Sequence, residues 1–440
     1  MTAIAPPTPM VPPVAVPGPG APDVVPPPAL PLAFLGAAGV GLTGLGLAVW
    51  FAADRLVTAP THPGAVSAVH VAMLAFLTTG VLGALHQFAP VVARRPLRSV
   101  RAGWVTLVGM VATAWILPSG FAHGPEALVA TGGVVGTATV GLAVWNLSGP
   151  LSSRDGGLPL WGLRFSVAYL AITVLFGVVY AFDRQTGWFP LVPHRVLAHA
   201  HLGLVGWLGL TYVAVAEKLW PMFLLAHRPH DREGQVAVWS LVVAAPILTV
   251  GLLFGIQPIG WIGGLLAAVG LCAHVASLLT CVRHRRRKLE LLHAFLFTSA
   301  AFLLLALALA EVGGLFPMSP GRRSDVVAAE VAALVGWLGL AIVGHVHKIV
   351  PFIGYSALRA RGIRARADGS PLLFAHLFRP GPARAALALG TAGFTLVVGG
   401  LLAVHATSVA VGGIALAACG ATTTANLALT PRRILREASS

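Results

Sequence analysis

The side chains most able to do chemistry in this sequence are histidines that interrupt long apolar runs. His70, His199 and His201 lie among Val, Leu, Ala and Gly residues, where an ionisable group is costly and usually faces the interior of a helix bundle. Imidazole is a ligand for haem iron and also for copper or zinc. Because His199 and His201 are two residues apart, a helix would direct them to nearly opposite sides. We predict that these three histidines, the outer tier, bind cofactors in two neighbouring pockets.

A second set of ligand-capable residues, the inner tier, lies further along the same apolar segments. Two of its members each follow an outer-tier histidine by sixteen residues, and the other two form a second HxH pair. Sixteen residues of helix rise about 24 Å, so the inner tier is expected near the opposite membrane surface. We predict metal binding by its members, His86, Glu217, His345 and His347. The alternatives are that a lone histidine only hydrogen-bonds a neighbouring helix and that Glu217 forms a structural ion pair.

All of these residues except His199 belong to a segment that occurs three times. The copies are HVAMLAFLTTGVLGALHQFAP at 70–90, HLGLVGWLGLTYVAVAEKLWP at 201–221 and VAALVGWLGLAIVGHVHKIVP at 331–351. Their closing prolines are about 130 residues apart, and two copies share the string GWLGL, which favours a true repeat over chance likeness of apolar helices. We therefore expect three related four-helix units at about 31–148, 160–281 and 291–428, with the tiers on the second helix of each unit.

The composition predicts the elements that must position these residues. The chain is 57% hydrophobic and 10% charged, against about 25% charged in soluble domains. Apolar runs of about twenty residues can cross a hydrocarbon layer of about 30 Å as helices. The expected fold class is an all-α polytopic membrane protein of twelve spans. The spans are predicted near 31–53, 66–93, 103–120, 126–148, 160–182, 196–224, 236–256, 259–281, 291–312, 325–354, 384–404 and 407–428.

The basic residues indicate how the chain is oriented. A net charge of +15 could indicate nucleic acid binding, but most of the 29 Lys and Arg residues fall in alternate loops, as they do in cytoplasmic loops. We expect an integral plasma (inner) membrane protein with both termini in the cytoplasm, in contact with the lipid bilayer and with no nucleic acid. Residues 1–30 are predicted to be a Pro-rich disordered tail, and residues 429–440 a basic tail. The three cysteines form no CxxC or CxxCH motif, which argues against a zinc knuckle or covalently attached haem.

Two of the repeated segments resemble a known family. The string HAHLGLVGWLGL followed by KLWPMF resembles the tenth span of subunit I in the haem–copper oxidase superfamily, especially its b-haem cytochrome oxidase and nitric-oxide-reductase branches. The string HVAMLAF is similar to that superfamily's second span, and twelve spans in three pseudo-symmetric units is its plan. The resemblance implies a low-spin haem b with His70 and His201 as axial ligands. It leaves His199 for a second cofactor.

The chain departs from the family at the copper site. Its HxH stands on the sixth span rather than the tenth, and the seventh span, VAVWSLVVAAPILTVGLLFG, has no histidine pair. The standard copper-site histidines are therefore missing, and copper is expected only as a second metal that the remaining imidazoles could hold. A looser similarity is to the histidine-rich haem- and copper-containing membrane proteins of the nitric oxide response.

Three hypotheses for function follow. The first is a haem-b membrane protein in electron transfer or in nitric oxide or oxygen handling, served by a quinol or cytochrome donor and acting as an oxidoreductase if a metal position is open. The second is a transporter of metal ions or small solutes that uses intramembrane histidines. The third is an assembly or sensor protein on the oxidase fold without catalysis. The sequence identifies no catalytic residue and no partner subunit.

Overall fold

The computed structural model describes residues 24–227, 231–366 and 369–438, with side chains up to residue 429. Within these ranges twelve helices are long and apolar enough to cross a membrane, which confirms the predicted all-α membrane fold. Most of the predicted Pro-rich tail, and the side chains of nearly all the basic tail, lie outside the described part. The helices are α1 (Ala29–Thr58), α2 (Pro63–Ala93), α3 (Val100–His123), α4 (Glu126–Leu151), α5 (Gly157–Thr186), α6 (Pro193–Leu224), α7 (Arg232–Phe254), α8 (Gln257–Arg283), α9 (Leu291–Leu315), α10 (Pro320–Ala360), α11 (Pro380–Leu402) and α12 (Ala406–Ala438).

The second helices of the three units begin and end at recognisable signals. Each has a proline in its first turn, where the missing N–H costs nothing. α2 and α6 end before residues in the left-handed conformation, Arg94 with φ 51° and Leu225 with φ 46°, which occupy the same position of the repeat. α10 is longer than predicted. Ser319 caps its first turn by accepting from Arg322 N at 3.3 Å, and the helix continues to Ala360.

The units are arranged in a ring around their second helices. α4 packs on α5 to join the first two units, and α12 packs on α1 to close the ring. The closure depends on close backbone approach, because a Cβ on Gly46 would lie 2.1 Å from Ala417 N. The junction of the second and third units is looser between α8 and α9. There the inner half is filled by Trp220, whose ring lies 6.1 Å from that of His293 and 6.2 Å from that of Phe297.

A cluster of three buried aromatic rings lies between α2, α6 and α10. The same position of each repeat copy carries an aromatic ring, at Phe76, Trp207 and Trp337, and each is at most 2% exposed. Each ring contacts a residue of a neighbouring second helix. In its own copy of the repeat, that residue lies two positions after the aromatic one. Trp207 Nε1 donates to Thr78 Oγ1 at 3.2 Å, Trp337 lies 3.4 Å from where a Cβ on Gly209 would stand, and Phe76 lies 3.0 Å from the same point on Gly339. The contacts follow the same order around the three helices, and the three-unit organisation stays a prediction from the repeat.

Candidate functional site

Two outer-tier histidines stand immediately before π-helical segments. His70 is followed by the π segment Val71–Thr78, and His201 by the π segment Leu202–Gly209. The third copy has Val331 at this position, and α10 continues as a regular α-helix. π turns are rare and frequently mark functional sites. The π-helical distortion is therefore found in the two copies that begin with histidine and not in the copy that begins with valine.

The rings of His70 and His201 are held in the same way. Nδ1 of His70 donates to Val66 O at 2.9 Å, and Nδ1 of His201 donates to Leu197 O at 2.8 Å. A carbonyl can only accept, so each bond selects the tautomer in which Nε2 carries the lone pair, and it fixes the ring plane. Both imidazoles are thus prepared to coordinate a metal through Nε2.

The structure brings His70 together with His199. The ring of His70 stacks on Phe121 with centroids 4.9 Å apart, and the ring of His199 meets the edge of Tyr180 at 5.9 Å. The two imidazoles are close enough for their charges to interact, and Nδ1 of His199 is buried without a hydrogen-bond partner. This junction of the first and second units therefore holds one histidine from each.

The second residue of the HxH pair faces the other way. His201 interacts electrostatically with Glu330 on α10, across the junction of the second and third units. The two histidines of the pair thus have neighbours in different units, and their service to two pockets stays a prediction. Glu330 was recognised in the sequence as a costly intramembrane carboxylate, but no site was predicted for it. The signal for it was an acidic residue inside an apolar span, which is costly unless it has a role.

The outer-tier residues are only partly covered by the rest of the chain. The three histidines are half-buried, as are Met73 and Leu74 in the π segment of α2, although this helix packs against α1 and α3 and its π segment also against α10. Lone-pair imidazole nitrogens on an apolar helix surface are the kind of donor that haem iron accepts.

In the inner tier, one residue of each second helix pairs with the fourth helix of its own unit. The three residues share one position of the repeat, four residues before its proline, so the proline nitrogen cannot donate to their backbone carbonyls. Three polar partners on α4, α8 and α12 were missed at the sequence level. The pairs are His86 Nε2 with Asn146 Nδ2 at 3.5 Å, Ser277 Oγ donating to Glu217 Oε1 at 2.8 Å, and Asn426 Nδ2 with His347 Nδ1 at 3.0 Å.

The inner tier is not gathered into one site. His86, Glu217 and His347 lie in different units, and each contacts its own fourth helix. Within the described residues no group of three or more His, Cys, Asp and Glu side chains is arranged to hold a metal ion. The geometry therefore favours the structural alternative for His86 and Glu217.

His345 faces the junction of the second and third units. Its Nδ1 donates to Ala341 O at 2.7 Å, and its Nε2 is buried without a hydrogen-bond partner. The ring of Tyr212 lies 6.4 Å from that of His345 and 5.3 Å from that of His274. Tyr212 was missed in the sequence, where the signal was a polar aromatic at a repeat position that is Val or Ile in the other copies.

Comparison with known protein families and with curated proteins finds no match to this chain.

Proposed function

We propose that the outer tier binds haem b and that this chain is a redox or gas-handling membrane protein related to oxidase subunit I. One observation carries the proposal: the π segment and the carbonyl-anchored imidazole occur together at His70 and His201 and are both replaced at Val331. Haem iron accepts neutral imidazoles as axial ligands, which requires a lone pair on the ring nitrogen that faces the metal. When bound, the haem would supply one-electron redox or gas-binding chemistry.

The chain's own residues would set the properties of the site. His70 supplies one axial nitrogen, and its stacking on Phe121 limits rotation of the ring. α6 supplies the second nitrogen. The resemblance assigns this role to His201, whereas the nearness of His199 to His70 favours His199. The apolar residues around these histidines would exclude water, which tunes the reduction potential of a haem.

The test is a haem assay on detergent-purified protein. We expect stoichiometric b-type haem by pyridine haemochrome and a low-spin reduced-minus-oxidised spectrum. His70→Ala should abolish the low-spin spectrum, and one of His199→Ala and His201→Ala should do the same, which identifies the second ligand. His86→Ala is the matched control, because it removes a buried histidine of the same helix whose nitrogens are held by Leu82 and Asn146. Haem-free wild-type protein, or unchanged haem in His70→Ala, would refute the proposal.

Partners and orientation follow from the same proposal. A quinol or cytochrome would supply electrons at the bilayer surface, and the basic loops would lie in the cytoplasm with both termini. Copper is not part of the proposal, because the described residues offer no three-residue group for it. The transporter hypothesis stays a prediction from sequence.

A further inference from the structure

A small cavity lies at the inner end of the third unit, away from the outer tier. It is bounded by α9, α10, the start of α11 and the turn Phe374–His376. Its volume of about 20 Å³ is enough for one water molecule. Most of its wall is apolar, and three polar side chains complete it, from Glu290, His347 and Lys348.

His347 presents an unsatisfied nitrogen on this side. The residue is 3% exposed. Its Nδ1 is bonded to Asn426 on α12 at 3.0 Å, and its Nε2 is buried without a hydrogen-bond partner. The two nitrogens of an imidazole point in divergent directions, and the cavity lining contains no residue of α12. Nε2 therefore points away from α12, and His347 is one of the residues that line the cavity.

An ion pair forms the solvent-exposed boundary of the cavity. The Lys348 ammonium pairs with the Glu290 carboxylate and lies 4.7 Å from the centroid of the Phe374 ring. The Glu290 side chain is 46% exposed and that of Lys348 is 19% exposed. The pair is thus partly exposed, and both of its residues line the cavity together with His347. His293 is not among the lining residues, and its Nδ1 accepts from Glu290 N at 2.8 Å.

We propose that this cavity binds a water molecule between His347 Nε2 and the Glu290–Lys348 pair, forming an inlet from the inner aqueous phase. With the Asn426 NH2 group donating to Nδ1, Nε2 carries the proton and donates it to the water, whose own hydrogens can reach Glu290. With the carboxamide turned by half a rotation, Nδ1–H donates to Oδ1 and Nε2 accepts from the water instead. The water can therefore accept a hydrogen bond from Nε2 or donate one to it. It does not depend on haem binding at the outer tier.

The repeat supplies an internal control. His86 occupies the position of His347 in the first unit and is 0% exposed. Its Nδ1 donates to Leu82 O at 2.7 Å and its Nε2 faces Asn146 at 3.5 Å, while its ring stacks on Phe34. Both nitrogens are engaged by protein groups, so His86 has no need of a water partner.

The test measures water access to each histidine by deuterium exchange at Cε1, read by mass spectrometry on the full-length protein in detergent. His376 is exposed and sets the rate of an unprotected ring. We expect His347 to exchange at least about tenfold faster than His86, because exchange requires water at the ring. Equal protection of His347 and His86 would overturn the proposal.

Two variants move the rate in opposite directions. Ala383→Leu adds volume at a buried wall residue and should slow exchange at His347 to the level of His86. Phe374→Ala removes the ring beneath the Lys348 ammonium and should speed exchange at His347 without changing His86. A His347 rate that neither variant changes would show that water reaches the ring by another route, which also overturns the proposed inlet.

Discussion

The hydrogen bond between the two π segments can be tested quantitatively. Trp207 in α6 donates through Nε1 to Oγ1 of Thr78, the last residue of the π segment in α2, at 3.2 Å. The indole is 2% exposed and the threonine 4% exposed, so neither group can turn to water when its partner is removed. We predict that Trp207→Phe and Thr78→Val each destabilise the protein and that their effects are not additive.

The magnitudes follow from burial. Thr78→Val keeps the side-chain volume and leaves the indole N–H unsatisfied, which costs about 1–3 kcal/mol. Trp207→Phe loses the same bond and part of a buried ring, for about 2–4 kcal/mol. In the double variant the bond is lost only once, so the coupling free energy should be about 1 kcal/mol, within the range measured for interhelical bonds in membrane proteins.

Equilibrium unfolding in mixed micelles would measure the cycle. Cys281 and Cys419 are each 1% exposed, so a thiol-reactive dye reports unfolding once exposed Cys272 is replaced by Ser. Trp220→Phe combined with Thr78→Val is the control pair, because residues without shared partners should give additive effects. Additivity of Trp207→Phe and Thr78→Val would refute the bond between the π segments.

Three further predictions concern packing and surface charge. Gly46→Ala should lower the unfolding free energy by about 3 kcal/mol or more, because its Cβ would meet backbone at 2.1 Å. Gly36→Ala is the control, because nothing lies within 4 Å of its Cβ, and it should be neutral or stabilising in the same unfolding assay. Gly234→Ala would place a Cβ 2.1 Å from a carboxylate oxygen of the inner-tier glutamate and should cost about 1–3 kcal/mol, and an unchanged midpoint would contradict that contact. Glu126→Gln removes the carboxylate that Arg184 contacts at 2.6 Å, in a pair whose side chains are 28% (Arg184) and 43% (Glu126) exposed. The substitution should cost less than about 1 kcal/mol of unfolding free energy. A larger loss, measured by denaturant titration, would show that the pair is more strongly shielded from solvent.

The spans were predictable because the bilayer imposes both their length and their apolar composition. The shared position of the inner-tier residues was also readable, since the repeat places them sixteen residues after its first position. Their partners were not readable. His86 and His347 could have approached each other or any neighbouring helix, and the choice of Asn146 and Asn426 depends on which helices of a unit are adjacent.

The sequence by itself determined the twelve apolar helices, which the structure confirms, and it predicted the threefold repeat and two tiers of histidines, because these follow from composition and spacing along one chain. Only the tertiary structure decided where the helix is distorted and which imidazoles meet. The string GWLGL lies mainly in a π segment in α6 at 206–210 and in regular α-helix in α10 at 336–340, so its local preference does not select the conformation. The surrounding packing does, and it also directs His199 toward His70 and His201 toward Glu330.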